Sequence, residues 1–528
     1  MPSRYRWVVV PRADRFPKLW IDWLRLGLVV LLAVTATGVV VFRQDLGRLA
    51  TCNDGWPGTA AWSAAGECVG LSDGSYAFGL DRFAPVLQTI AHQNDAAADS
   101  CDPDGTPVTV GVLVTMTDRY TGGRAVHELE GMAAGQRHAN GTGCVHPMRL
   151  VVANIGAYGP DSEGLDVAQA LADRPDVVAV VGMGLSQEQA ARTADLFAGA
   201  KIPMVSDVIT AEGFDQTGSR EDQPQFDSCD PDITYQHGIG RDYFYRVAYR
   251  NRVQIDRLAA VVTARPDFIM VPTGGSDPYT CTALPMVQRR FGGDVTEVKF
   301  DADESTTVLQ TARRICGTAK DVTVVYIARG SDLARLLFSL DEAFGSGQCA
   351  ATSVAVVSTS DGQRLRAVED NPMLEDLRVR ALRSASFATG KVRLLTTLVS
   401  GADKKRPDNP GFADLEESFT GAGFDLADID DGWAVNAYDS TVSVSEALRT
   451  LPAAKPVQRS QVNTAISGFS AAGQAVRGAG GMITFDNSGN RADAGPPVVR
   501  VCPLQPATGS RPARTTSVPA GPGDPATC

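Results

Sequence analysis

From Thr109 onward the chain alternates short β-branched apolar runs with longer segments of helical period, and no other feature limits the fold as much. The runs fall at 109–114, 150–153, 177–181, 204–206, 268–271, 295–300, 322–327 and 354–357. Most are continuously apolar, as strands covered on both faces must be. Strands separated by helices pair in parallel, so the expected class is α/β. Leu333, Leu336, Leu337, Leu340 and Phe344 form a helical stripe, with Ser331 and Asp332 placed to cap it. Ser186 and Gln189 have capping-box spacing ahead of a helix over 190–198. Residues 212–242 are polar, carry Cys229 and show no period, which predicts an inserted loop pinned by a disulfide. After Pro503 the composition turns to Pro, Gly, Ser and Thr, and little regular structure is expected there beyond a tether at Cys528. Residues 43–106 read as a disulfide-containing stalk or cap with one amphipathic stretch at 83–92.

Ahead of this lies an apolar run at 26–42, broken only by two threonines, which with 21–24 approaches the roughly 20 residues that cross a bilayer. Arg4, Arg6, Arg12, Arg15, Lys18 and Arg25 outweigh Asp14 and Asp22 around its start, which predicts a cytoplasmic N-terminus. The expectation is a single-pass cell-membrane protein, with a cytoplasmic tail at 1–23, a transmembrane helix at 24–42 and the bulk of the chain extracellular. A cleaved signal is the alternative, but the run lacks a small-x-small site at its end. All ten cysteines follow the run, and their even number fits an oxidising compartment. Spacing does not settle connectivity; sequence neighbours suggest Cys52 with Cys68, Cys101 with Cys144, Cys316 with Cys349 and Cys502 with Cys528, leaving Cys229 with Cys281. With no C-x-x-C or Cys/His cluster, no structural zinc is expected. A net charge of -12, without a Lys/Arg cluster after the first 25 residues, argues against a nucleic-acid partner.

Six segments in order carry a family resemblance: 110–140 (VGVLVTMTDRYTGGRAVHELEGMAAGQRHAN), the strand–helix units of 151–211, YFYRV at 243–247, the tyrosine-bearing loop at 277–279, WAVNAYDSTVSVSEAL at 433–448 and GGMITFDNSGN at 480–490. Together, over about 107–502, they resemble the type I periplasmic binding proteins, specifically the Leu/Ile/Val (branched-chain amino-acid) substrate-binding family of ABC transporters. The resemblance implies two Rossmann-like lobes with central parallel sheets, joined by a three-segment hinge. Lobe one is expected at 107–246 and 386–475, lobe two at 247–385 and 476–502, and a Pro/Gly-rich tail at 503–528. It also implies capture of a small polar ligand, an amino acid or amide among the candidates, for an ABC-type permease, with no cofactor. The alternative is a ligand-sensing receptor ectodomain acting with a membrane or signalling partner. A third is a module that kept the fold and lost the ligand, marked by a cleft full of side chains.

The resemblance also implies binding residues, position by position. Leu185, Ser186 and Gln187 stand where the family offers backbone and hydroxyl groups to an α-carboxylate, although Ser186 also reads as a plain helix cap. Thr210 falls on the family's carboxylate-binding threonine, with Ser206 and Asp207 earlier in its loop. Asp207 replaces a small residue or proline and is expected to repel an anion. Tyr279 matches the tyrosine of the second-lobe loop, with ordinary aromatic packing as its other reading. Asp361 matches an acidic residue that pairs with a ligand ammonium, or is a turn aspartate before glycine. Arg329 and Gly330 stand where the family has an aromatic residue; Arg329 could pair with an acidic ligand or with Asp207, which points away from a branched-chain amino acid.

An enzyme is not expected. His127-Glu128 is not followed by the second histidine of a zinc helix, and G-x-x-x-x-G-K does not occur. The acidic run at 425–432 lacks calcium-loop spacing.

Overall fold

The computed structural model describes residues 20–41, 52, 60–101, 105–217 apart from 142 and 160–163, 229, 242–506 apart from 274–276, 293–294, 303 and 454, and 514–528 apart from 524–526. All eight expected strands are present within two seven-stranded sheets. The first runs, edge to edge, β1 (Ala60–Ala64), β2 (Glu67–Ser72), β4 (Met148–Asn154), β3 (Val108–Val114), β5 (Val177–Gly182), β6 (Met204–Ser206) and β7 (Phe244–Arg246). Here β3 to β7 pair in parallel, and β1–β2 is an antiparallel hairpin added along β4. The second runs β16 (Ser517–Pro519), β15 (Val498–Val501), β12 (Val392–Thr397), β11 (Val354–Ser358), β10 (Val322–Tyr326), β8 (Phe268–Pro272) and β9 (Thr296–Phe300). Its strands β8 to β12 are parallel, and β15 and β16 close the edge antiparallel. Every residue of β3, β5 and β11 is buried, as expected of strands covered on both faces.

The borders of the lobes differ from the expected ones. Residues 60–101 are part of lobe one, not a stalk: β1–β2 extends its sheet, and Phe83, Val86, Leu87 and Ile90, at and just after the start of the Ala84–Ser100 helix, are buried in its core. Residues 392–397, expected in lobe one, form β12 of the second sheet, held between β11 and β15. The hairpin of β13 (Val476–Gly478) and β14 (Gly481–Ile483), expected in lobe two, packs Val476 and Ile483 into the core of lobe one. The tail is not structureless either, since the Cys502–Cys528 bridge closes it back and it pairs as β16. The chain therefore crosses between lobes near 248–250, 398–401 and 486–497, three crossings as a hinge of this kind requires.

The five disulfides are the pairs suggested by sequence neighbours: Cys52–Cys68, Cys101–Cys144, Cys229–Cys281, Cys316–Cys349 and Cys502–Cys528. Cys229 ties the 212–242 segment, otherwise mostly outside the described residues, to the Pro278–Phe291 helix. The apolar run forms a helix, Trp20–Val41, of 22 residues. Taken over the described residues, however, no helix is long and apolar enough to cross a membrane. The expected cytoplasmic tail up to residue 19 lies outside the described residues.

Lobe one is built around the contact between the Arg124–Ala139 and Trp433–Arg449 helices. A Cβ on Gly131 would lie 2.2 Å from the Ala434 carbonyl oxygen, so the two backbones approach closely only because residue 131 has no side chain. Gly131→Ala should therefore force the helices apart and cost about 1–3 kcal/mol, as overpacked cores do. A thermal or urea unfolding curve measures this, and an unchanged midpoint would show that the contact relaxes freely.

Candidate ligand-binding cleft

In parallel α/β sheets the loops at strand C-termini face the crevice. Here the loops after β3, β5 and β6 of lobe one meet those after β8, β10 and β11 of lobe two. Five of the eight expected residues converge on one cavity between the lobes: Leu185 and Thr210 from lobe one, and Tyr279, Arg329 and Asp361 from lobe two. Arg124, Val208, Ser360, Val399 and Trp433 complete its wall. The cavity is small, about 20 Å³, little more than the space of one water molecule.

The other three expected residues do not line this wall. Ser186 does not cap a helix; the cap position is Gln187, whose side chain makes no capping bond. The Ser186 hydroxyl oxygen instead accepts from the backbone N–H groups of Thr210 (3.0 Å) and Ala211 (3.1 Å), fixing the loop that carries Thr210. Ser206 does the same earlier in that loop, its oxygen accepting from the Ile209 N–H at 3.2 Å. Ser331 and Asp332 likewise make no side-chain cap: Gly330–Asp332 is a short 3-10 turn, and Asp332 pairs with Arg335 at 2.9 Å.

Two arginines dominate the electrostatics. Arg329 lies over the Tyr279 ring at 4.7 Å, donates to Asp277 Oδ1 at 2.7 Å and reaches across the cleft to the Ser186 carbonyl at 2.7 Å. Burial opposes its charge, but Asp277 and Asp361 outweigh burial and raise its pKa. Arg124 lies over the Trp433 ring at 4.3 Å and donates to the carbonyls of Thr121 and Tyr120. Asp361 sits between them, 3.6 Å from Arg124 and 3.7 Å from Arg329, too far for a hydrogen bond to either. Among the described residues, Asp361 Oδ2 and Arg329 Nε are buried without a hydrogen-bond partner. Gly330 lets this cluster form, since a Cβ there would lie 2.4 Å from the Asp361 carbonyl oxygen.

Asp207 does not meet Arg329. It faces Glu128, both fully buried, and besides Glu128 only the backbone N–H groups of Asp207 and Val208 approach its carboxylate. Burial pushes Asp207 up to about 8 and Glu128 well above the carboxylate range, so the pair holds a proton at neutral pH.

Further clasps close the cleft beside the cavity. Arg364 of lobe two donates to the backbone carbonyls of Tyr120 (2.8 Å) and Arg119 (3.0 Å) in lobe one, while Glu369 holds its Nε at 2.5 Å. Arg82 pairs with Asp370 across the same seam. Sequence reasoning misses Arg124 and Trp433 as wall residues: Arg124 opens an amphipathic helix, where a charge reads as solvent-facing, and Trp433 reads as core.

No protein-family model and no curated protein matches the chain. Solved structures do. A branched-chain amino acid transporter substrate binding protein from Streptococcus pneumoniae, in complex with isoleucine, aligns at 13% identity over 78% of this chain and 100% of its own, with a TM-score of 0.51. An ABC transporter substrate-binding protein from Desulfitobacterium hafniense, in complex with leucine, aligns at 14% identity over 78% and 99%, with a TM-score of 0.50. An ABC transporter solute binding protein from R. palustris, in complex with 4-hydroxybenzoate, aligns at 15% identity over 79% and 97%, with a TM-score of 0.52. At such identities the likeness speaks for architecture, and the chain has the two-lobed type I periplasmic binding fold.

Proposed function

We propose that this chain is an extracytoplasmic binding protein that captures a small polar solute between its lobes, without chemistry, for an ABC-type importer. The observation that carries this reading is the convergence of Thr210 from one lobe with Tyr279, Arg329 and Asp361 from the other on a cavity where two buried polar atoms lack partners among the described residues. Buried polar groups in native proteins are almost always satisfied, so such atoms suit a bound polar group. The structural neighbours solved with isoleucine, leucine and 4-hydroxybenzoate are consistent with it. A solute of that size needs the lobes further apart than they stand here, both to enter and to be held, since the cavity measures about 20 Å³. The test is a thermal-shift screen of the full chain against amino acids, amides, small acids and sugars. Ligand at about 100 times its dissociation constant adds about 2.7 kcal/mol of stability. With a ligand that carries an ammonium group in hand, such as an amino acid, Asp361→Ala should cost roughly 2–5 kcal/mol of affinity by calorimetry, the range for truncating one partner of a buried charge pair. Unchanged affinity removes Asp361 from the site.

A second reading is favoured by the side chains that fill the cleft: a sensing ectodomain or interaction module held closed by its own ion pairs. Silence across the whole screen would carry that reading.

We also propose that the Trp20–Val41 helix anchors the chain. Of the exposed large hydrophobic residues among those described, eight (Trp20, Trp23, Leu24, Leu28, Val30, Leu31, Leu32 and Val34) lie on this one helix and only four elsewhere. Alkaline carbonate extraction of membranes should leave the chain in the pellet, and release into the supernatant would refute the anchor.

A further inference from the structure

We infer that Cys229 and Cys281 position Tyr279: their disulfide pins the helical turn that carries it to lobe one, so Thr210 and Tyr279 stay together when the lobes part and the cleft opens from its other end. By sequence the two cysteines belong to different lobes. Cys229 lies in the segment between β6 and β7, both in the first sheet, and Cys281 on the Pro278–Phe291 helix between β8 and β9 of the second. Alone among the five bridges, this one joins the lobes. It is not a slack tether. Both cysteines are buried, 5% and 3% exposed, in the apolar cluster that also holds Ile209, Ala211, Phe214 and Phe244 of lobe one. Hydrogen bonds cross between the lobes around it. The Glu212 N–H donates to the Thr282 hydroxyl at 3.4 Å, and the Asn251 N–H donates to the Thr210 carbonyl at 2.7 Å. The Asn251 side chain donates to the Tyr279 carbonyl at 3.1 Å, so one residue links the two wall positions directly. Sheet order sets this joint at one end of the cleft. In lobe one β5 separates β3 from β6, and in lobe two β10 separates β8 from β11. The β6–β8 end is thus two strand spacings, about 10 Å, from the β3–β11 end. At that far end the lobes are held only by Arg364 on the Arg119 and Tyr120 carbonyls and, beside it, by Arg82 with Asp370. Hinge motions run in microseconds to milliseconds, whereas disulfide rearrangement takes minutes to hours, so the bridge stays shut while the ion pairs open. The lobes therefore swing about the β6–β8 end, and Asp361, on the loop after β11, travels away from Thr210 while Tyr279 does not.

The test is hydrogen exchange read by mass spectrometry on the full chain in detergent, and it needs no ligand, so its result is separate from that of the solute screen. In Arg364→Met with Glu369→Gln, which releases the far clasp without leaving an orphan charge, exchange should rise at 117–123 and 363–370. Segments 209–214 and 278–283 should keep the protection they have in the unaltered chain. In Cys229→Ser with Cys281→Ser, exchange at those two segments should rise about thirtyfold, the equivalent of the lower end of what removing a native disulfide costs. Loss of protection at 209–214 and 278–283 in the clasp variant, with the bridge intact, would overturn the inference. So would a cysteine variant in which the two segments are unchanged, or in which exchange rises equally throughout the chain, since the bridge would then serve overall stability and not the placing of Tyr279. Should the cysteine variant fail to fold, the clasp variant, in which all five bridges are intact, still decides.

Discussion

Replacing Arg364 by methionine is expected to cost about 3–5 kcal/mol of stability and to shift the lobes toward an open arrangement. Arg364 is 1% exposed and belongs to lobe two, yet two of its N–H groups go to the Arg119 and Tyr120 carbonyls of lobe one. The same guanidinium also holds Glu369, at 2.5 and 2.8 Å. Methionine fills similar space but leaves Glu369 as a largely buried carboxylate without its cation, and deprives two carbonyls of a donor. The two effects separate in a double variant. Arg364→Met with Glu369→Gln removes the orphan charge, so most of the lost stability should return in a urea unfolding curve, while the cross-lobe bonds stay broken. Small-angle scattering should then show both variants larger than the unaltered chain. An unchanged radius in both would mean that the clasp at Arg364 does not hold the lobes together and that Arg329 and Arg82 suffice.

That clasp also marks where sequence reasoning reaches its limit. The strands of both sheets are legible because burial on two faces leaves uninterrupted apolar runs such as VTVGVLV and VVAVVG. The disulfides are legible because each bridge joins neighbours in cysteine order. The lobe borders are not, because the order of segments says nothing about which sheet accepts a strand. Residues 392–397 could close either sheet, and only pairing with β11 and β15 decides. At the site, five of eight residues inferred from the resemblance reach the cavity, since loop position follows from strand order. Ser186 illustrates the failure: Ser-x-x-Gln satisfies a local capping rule, but the hydroxyl is used by a loop 24 residues away. Arg124, Arg364 and Glu128 are missed for one reason. A charge on an amphipathic segment reads as solvent-facing unless its partner, distant in sequence, is known.

Stability of the chain should fall as pH rises from about 5 to about 8, and Glu128→Gln should flatten that slope. Glu128 lies on the Arg124–Ala139 helix and Asp207 on the loop after β6; both are buried and face each other. At Glu128 burial is the largest cause of the raised pKa, Asp207 comes next, and Arg124 opposes them. Asp207 titrates at about 8 when folded, against an ordinary value of 3.8. Between those values the folded chain keeps a proton that the unfolded chain has released, so each rise of one pH unit costs up to about 1.4 kcal/mol per proton. Below the lower value the contribution is fully present, and above the upper one it is lost. His127 acts in the same sense: burial alone would lower its pKa, but Asp431 and Asp428 raise it to about 9, so its ion pairs also weaken as pH rises through that value. Glutamine at 128 can hydrogen-bond Asp207 without a shared proton, which leaves Asp207 free to ionise nearer its ordinary range. The variant should therefore match the unaltered chain near pH 5 and exceed it near pH 8 in thermal unfolding. Parallel curves for the two proteins from pH 5 to 9 would show that the pair does not govern the titration. The consequence extends to the cleft, because Asp207 begins the loop whose Val208 and Thr210 line the cavity. A charge forced onto that loop by high pH would sit next in the chain to Val208 on the cavity wall, so affinity for a solute should change over the same range as stability.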